Sequence, residues 1–309
     1  MALSTGSVDA GAGSNTGTDS GGPLFEHRPL DLRATTLRLV EILKPGPDGG
    51  IRCKMKHFTM TREGSNTTGV VHESIPQYTC LSYVWGSPDD KRWITIDDRP
   101  FEIRRNLWDF LHPGVAPQLD FEQCAQSLWI DALSIDQSNM SERNHQVQQM
   151  GWIYSNAVHV VSWLGNDPMI AELFRFAAVD DSRERYNEPS FHRNEYWRRA
   201  WITQEIYLAR KWYLLVKGVL IPASAIVQAA KTMKYPGRKP YRVLDDVVSK
   251  LFPNHDISRT VLENFKLCSR KQCSDPRDLV YSLLSISSDG AKLLVDYGCS
   301  MIELAKHVL

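Results

Sequence analysis

The stretch from Leu128 to Gly165, LWIDALSIDQSNMSERNHQVQQMGWIYSNAVHVVSWLG, constrains the fold of this chain more than any other. Residues 128–136 read as a strand interrupted by one acid, Asp131. Residues 141–157 place Val147, Met150, Tyr154 and Ala157 on one stripe at helical spacing, and residues 158–165 form an apolar run without polar alternation until its end. Strand, helix and strand in this order, with both strands apolar on two faces, make a βαβ unit and predict a parallel sheet covered on both sides.

The flanking sequence supplies further elements. Residues 35–43, TTLRLVEIL, alternate as a strand, and PGPDGG at 45–50 is a turn. YTCLSYVWG, residues 78–86, is a buried strand that stops at Gly86 and runs into a polar loop. WITIDDRPFEI reads as a hairpin around its DDRP turn, and KWYLLVKGVLIP as a strand or a second hairpin. Residues 198–210, RRAWITQEIYLAR, read as a helix, 223–234 as another, and 241–309 as mainly helical with DPRD at 275–278 as a helix start.

Residues 1–22 are Gly, Ser, Thr and Asp with almost nothing to bury, so a disordered tail is expected there. An α/β domain is then expected over 23–235, with 236–309 as its mainly helical C-terminal part. The chain stops at Leu309 inside an apolar-periodic helix, which reads as a fragment of a longer protein.

Lys plus Arg and Asp plus Glu both number 36 among 309 residues, and no basic stripe supports nucleic-acid binding. Six scattered cysteines lack the density of a disulfide framework, and Cys268 and Cys273 have no CxxC or His partner that would make a zinc site, so no metal is expected. No apolar run reaches the length of a bilayer, and the N-terminus has no signal-peptide pattern; a cytoplasmic protein without a membrane span is expected.

Ligands of an open parallel sheet bind beyond the carboxyl ends of its strands. Those ends offer Ser82, Tyr83, Trp85 and Gly86 from one strand, and Asp131, Asp136 and Gln137 from the next. A carboxylate at Asp131 must be hydrogen-bonded or paired, as a structural acid or as part of a site. Asp136 and Gln137 also suit a helix cap. Arg143 extends the Val147, Met150, Tyr154 stripe toward the core side in a first helical turn that disfavours a cation. It reads either as a ligand contact or as a salt bridge to Asp131, Asp136 or Glu142.

On the 198–210 helix, Trp197, Ala200, Trp201, Gln204 and Leu208 share one arc, and Ile202, Ile206 and Ala209 a second. Glu205 lies between the two and is expected to be at least half covered, with a raised pKa unless Arg198 or Arg143 compensates. Periodicity does not choose between a paired and a catalytic acid, and Gln204 has no assignment.

YTCLSYVWG, residues 128–165, YWRRAWITQEIYLARK and CSDPRDLVYSLLSI resemble, in order, the signature blocks of the fungal heterokaryon incompatibility (HET) domain over residues 78–286. Ser134 stands where many members carry Cys, which argues against an essential thiol there. The resemblance implies non-self recognition that ends in growth arrest and cell death, with an allelic or NLR-like partner protein. HET domains are in turn similar in pattern to TIR domains: LSY, LWID with its following helix, and VVSWLG resemble TIR strands and the central segment. This implies a TIR-like (flavodoxin-like) α/β fold, a parallel sheet flanked by helices with inserted hairpins and a C-terminal helical extension. Trp201 to Glu205 then fits the TIR WxxxE motif, whose glutamate is catalytic in TIR domains that cleave NAD.

The resemblance thus implies NAD as substrate rather than cofactor, Glu205 as catalytic carboxylate, Trp201 over the sugar or ring, and activation by self-association. Cleavage at the nicotinamide ribose bond passes through an oxocarbenium-like state, and a pyridinium departs neutral without a general acid, so one carboxylate suffices. Arg143 and the loop after Ser82 suit the phosphates. The chain has no GxGxxG, GxxxxGK[ST] or HExxH motif and no Ser, His, Asp series. The competing reading is a non-catalytic interaction module in which Glu205 and Asp131 only hold the fold.

Overall fold

The computed structural model describes residues 22–60, 75–112, 126–178, 189–232 and 259–309. The expected tail at 1–22, apart from Gly22, lies outside the described residues, as do 241–258 of the expected helical region. The elements form one α/β unit around a nine-stranded mixed sheet in the order β5-β4-β2-β1-β6-β3-β7-β8-β9.

Its centre is parallel. β3 (Tyr78–Tyr83) lies between β6 (Ser127–Trp129) and β7 (His159–Trp163), and β7 pairs on its other side with β8 (Trp212–Val216), all in parallel register. All residues of β3, β6 and β7 are buried, which is why these segments are apolar without alternation. The crossover α3 (Met140–Asn156) joins β6 to β7 as the βαβ pattern predicts. Because β6 and β7 flank β3, the carboxyl ends of three parallel strands meet in one place.

The hairpins are not excursions from this sheet but its wings. β1 (Thr35–Ile42) and β2 (Arg52–Met60) pair antiparallel along their whole length, and β1 also pairs antiparallel with β6. β4 (Lys91–Ile96) and β5 (Arg99–Arg104) turn through Asp97 and Asp98, both at positive φ, as a two-residue hairpin loop requires. On the far edge β8 and β9 (Val219–Pro222) turn through Lys217 and Gly218. The sheet is therefore mixed rather than wholly parallel.

Two segments depart from the periodic reading. The strand expected over 128–136 ends at Trp129, and Asp131–Ser134 form a one-turn helix, α2. Short polar side chains capture the backbone there: Asp131 Oδ1 accepts from Ala132 N at 2.7 Å and Ser134 Oγ from Ile130 N at 3.2 Å. Ser134 is fully buried in this role. The helix expected over 198–210 splits into a 3₁₀ turn, Glu195–Arg198, and α6 (Ile202–Tyr207), with Arg199 extended between them at φ −61° and ψ 139°. Gln272 causes the break, since it accepts from Ala200 N at 2.9 Å and donates its own N–H to Arg198 O at 2.6 Å.

That bridge belongs to a wider docking of residues 259–309. Helices α1 (Arg105–Leu111), α4 (Pro168–Ala178), α5 (Pro189–Arg193) and α7 (Ala223–Thr232) precede this segment, which contains α8 (Val261–Cys268), α9 (Asp278–Tyr281) and α10 (Met301–Val308). Capping boxes at Thr260 and Ser300 start α8 and α10. Val261, Tyr281, Leu284 and Leu304 share one buried cluster with Trp129, Met150, Ile153 and Tyr154. Gln204, unassigned by periodicity, is 1 % exposed and accepts from Ser285 N at 3.4 Å.

Gly151 on α3 permits this docking, because a Cβ there would lie 2.0 Å from Ser285 Oγ. Gly151→Ala is therefore expected to destabilise the chain by about 1–3 kcal/mol despite alanine's better helix propensity, read as a lower midpoint in urea or heat.

Candidate functional site

A cavity of about 590 Å³ opens at the carboxyl ends of β3 and β6. One wall comes from the sheet: Trp85 and Gly86 after β3, Arg104 at the end of β5, and Asp131 and Gln137 after β6. The opposite wall comes from the C-terminal segment, through Gln272, Asp275, Asp278 and Tyr297. Arg143 from α3 and Arg198, Arg199 and Trp201 from the broken helix lie between them.

Gly86 takes φ +77°, a turn that a side chain would strain, and its carbonyl accepts from Arg104 Nη1 at 2.8 Å. Arg104 stacks on the Trp85 ring, 5.1 Å from its centroid, and Trp85 Nε1 donates to Asp131 Oδ2 at 2.8 Å. Burial pushes the Asp131 carboxyl up to about 6 against the pull of Arg199, and the nearby Glu205 adds to the rise. Tyr83 is buried behind Asp131, and burial raises its hydroxyl far above the usual range.

A raised folded-state pKa means that the native state holds this proton more tightly than the unfolded chain. Ionising Asp131 therefore costs stability as pH rises from about 4 through about 6. Over that window wild type is expected to lose on the order of 2 kcal/mol relative to Asp131→Asn, measured as the difference between their urea-unfolding free energies.

Glu205 lies one layer behind the cavity, 1 % exposed. Its carboxylate accepts from Ser82 Oγ and from Arg199, whose Nη1 and Nη2 lie 3.2 and 3.4 Å from its two oxygens. Ser82 continues inward to Tyr196 Oη at 2.7 Å, which reaches Ser162 Oγ at 2.6 Å, and Trp212 Nε1 donates to the same serine at 2.7 Å. This polar chain crosses the ends of β3, β7 and β8 and ends at Arg199. Burial works against the charge of Arg199, but Glu205 and Asp131 overcome it and raise its pKa.

Trp85, Gly86, Asp131, Gln137, Arg143 and Trp201 thus line the cavity, whereas Ser82, Tyr83 and Glu205 stand behind its surface. Asp136 is turned away, accepting from Ser138 N at 3.0 Å and Ser138 Oγ at 2.6 Å. The cation on Glu205 is Arg199, not Arg198 or Arg143, because the extended residue turns its side chain inward. Nor does Arg143 bridge to Asp131, Asp136 or Glu142: its guanidinium lies 3.7 Å from the Tyr297 ring centroid, and its buried Nε has no hydrogen-bond partner. Tyr297 donates to Asp278 at 2.5 Å, and burial raises the Asp278 carboxyl. Periodicity missed Arg199, Asp278 and Tyr297, although Asp278 and Arg199 fall inside sequence blocks that resemble the HET signatures.

Residues 78–212 match the family model of the heterokaryon incompatibility protein (HET). Residues 78–212 are thus similar to a HET domain. The "Heterokaryon incompatibility protein 6, OR allele" of Neurospora crassa is 34 % identical over 116 residues, which cover 35 % of this chain and 15 % of that relative. No solved structure matches the chain. The matched HET region supplies the parallel centre of the sheet, Asp131, Arg199 and Glu205, while the facing cavity wall lies beyond it in 272–297. Among the described residues no helix is long and apolar enough to cross a membrane, no acid, His and Cys cluster is arranged for a metal, and the cysteines are free thiols.

Proposed function

We propose that this chain is an effector of fungal heterokaryon incompatibility and cell death whose cavity binds NAD and cleaves its nicotinamide ribose bond, with Glu205 as the catalytic carboxylate. The observation that carries this reading is the cavity itself: two indoles, Trp85 and Trp201, and the arginines 104, 143, 198 and 199 converge at the carboxyl ends of parallel strands, with Glu205 directly behind Arg199. The four parallel strands run β6-β3-β7-β8, which is the 2-1-3-4 order of flavodoxin-like sheets and supports the TIR-like reading.

In the reaction the bond between ribose C1′ and nicotinamide N1 breaks, and its electron pair neutralises the pyridinium. Water adds to C1′ and loses a proton, giving nicotinamide, ADP-ribose and H⁺. Glu205 stabilises the positive charge that develops on the ribose, in a site where burial strengthens the attraction. The arginines hold the diphosphate, and an indole covers the ring or the sugar. Self-association and an allelic or NLR-like partner are the proposed activating events in the cytoplasm.

A second reading, an interaction module in which Glu205 is structural, is favoured by the near-complete burial of that carboxylate in its ion pair. Incubating the chain, concentrated enough to associate, with NAD separates them. Nicotinamide and ADP-ribose are the expected products; a protein that kills cells yet releases neither overturns the enzymatic reading.

A further inference from the structure

Arg199 occupies the boundary between the buried network and the cavity. Its side chain retains 16 % exposure and lines the cavity, while Glu205 behind it retains 1 %. The fork to Glu205, at 3.2 and 3.4 Å, is longer than the roughly 2.7–2.9 Å of a tight charge-assisted pair. Glu205 keeps a second donor, Ser82 Oγ, that does not depend on Arg199. The backbone on both sides of Arg199 is pinned by Gln272, so its side chain can move without displacing the turn. Arg143 faces the same space with a buried Nε that no acceptor satisfies.

We infer that Arg199 is a shared arm: a diphosphate group entering the cavity takes its guanidinium from Glu205 and leaves that carboxylate held by Ser82. The anion-binding half of this inference stands by itself; the consequence, that ligand entry unmasks the catalytic acid, rests on the reading of the site as an NAD-cleaving one. Glu205 and the diphosphate compete for one guanidinium, so each weakens the other's hold, by the same factor in both directions. A phosphate oxygen accepts from the planar fork as well as a carboxylate does.

The test is calorimetric binding of inorganic pyrophosphate and of ADP-ribose to wild type, Glu205→Gln, Arg199→Gln and the double variant, with Arg199→Lys as a charge-retaining control and thermal melts to establish folding. Glu205→Gln is expected to bind pyrophosphate about 3- to 10-fold more tightly than wild type, and Arg199→Gln at least 10-fold more weakly. In the Arg199→Gln background the Glu205→Gln gain is expected to vanish, because it acts through the arm rather than through general charge. Arg199→Lys is expected to fall between wild type and Arg199→Gln. Unchanged pyrophosphate affinity in a folded Arg199→Gln overturns the inference, as does a Glu205→Gln gain that survives without Arg199. If Arg199→Gln does not fold, the direction of the Glu205→Gln effect decides: weaker binding overturns it. Nicotinamide release, followed separately, decides only the catalytic reading.

Discussion

Glu142→Ala is expected to cost on the order of 3–5 kcal/mol of folding free energy. Arg38 and Glu142 are 0 % and 1 % exposed, and the two guanidinium nitrogens lie 2.5 and 2.9 Å from the two carboxylate oxygens. Arg38 also donates to Ser134 O at 3.0 Å and to Arg28 O at 2.5 Å, and Glu142 accepts from Asp136 N at 2.7 Å. Burial opposes the charge on Glu142, yet Arg38 and the Asp136 N–H hold its carboxyl below the ordinary value. Truncating Glu142 leaves a buried guanidinium without its counter-charge, which costs more than the pair itself contributes. Replacing both partners, Arg38→Met with Glu142→Leu, is accordingly expected to cost less than Glu142→Ala alone. A urea series in which the double variant is the less stable would refute that account. The loss extends to the cavity, since this pair fixes the loop between α2 and α3 that presents Gln137, and the first turn of α3 next to Arg143.

What was legible in the sequence follows the range of the interactions involved. The βαβ centre was readable because β6 and β7 are buried on both faces and α3 keeps its apolar stripe, so each segment carries its own period. The burial of Glu205 was readable for the same reason: Ile202, Gln204 and Ile206 around it are all buried. Arg199 was not readable. A continuous helix gives it no reason to turn inward, and the break comes from Gln272, 73 residues away in sequence. Arg38 was hidden likewise in an ordinary-looking strand, because the acid that neutralises it belongs to α3. The C-terminal wall was invisible to local pattern because Tyr297 and Asp278 acquire their meaning from Arg143 and Trp201, which they meet only after folding.

Glu205→Gln is expected to lower the rate of nicotinamide release by about 10²–10³-fold, equivalent to about 2.7–4 kcal/mol of transition-state stabilisation, if the site cleaves NAD as proposed. The substitution keeps the side-chain shape and an oxygen that accepts from Ser82, but removes the negative charge that the proposed reaction sets against the oxocarbenium. It also relieves Arg199 of its partner at the moment when the diphosphate needs that guanidinium. Substrate binding is therefore expected to be retained or tightened while turnover collapses, so that kcat falls steeply and KM does not rise. A structural role for Glu205 predicts the opposite division: a lower melting temperature, a disturbed Ser82, Tyr196 and Ser162 chain, and a loss of activity in proportion to the folded protein lost. Steady-state kinetics on a variant whose melting temperature has been matched to wild type separates the two. A well-folded Glu205→Gln with full turnover removes this carboxylate from the chemistry and leaves Asp131, an acid that lines the cavity at the strand ends, as the group to test next.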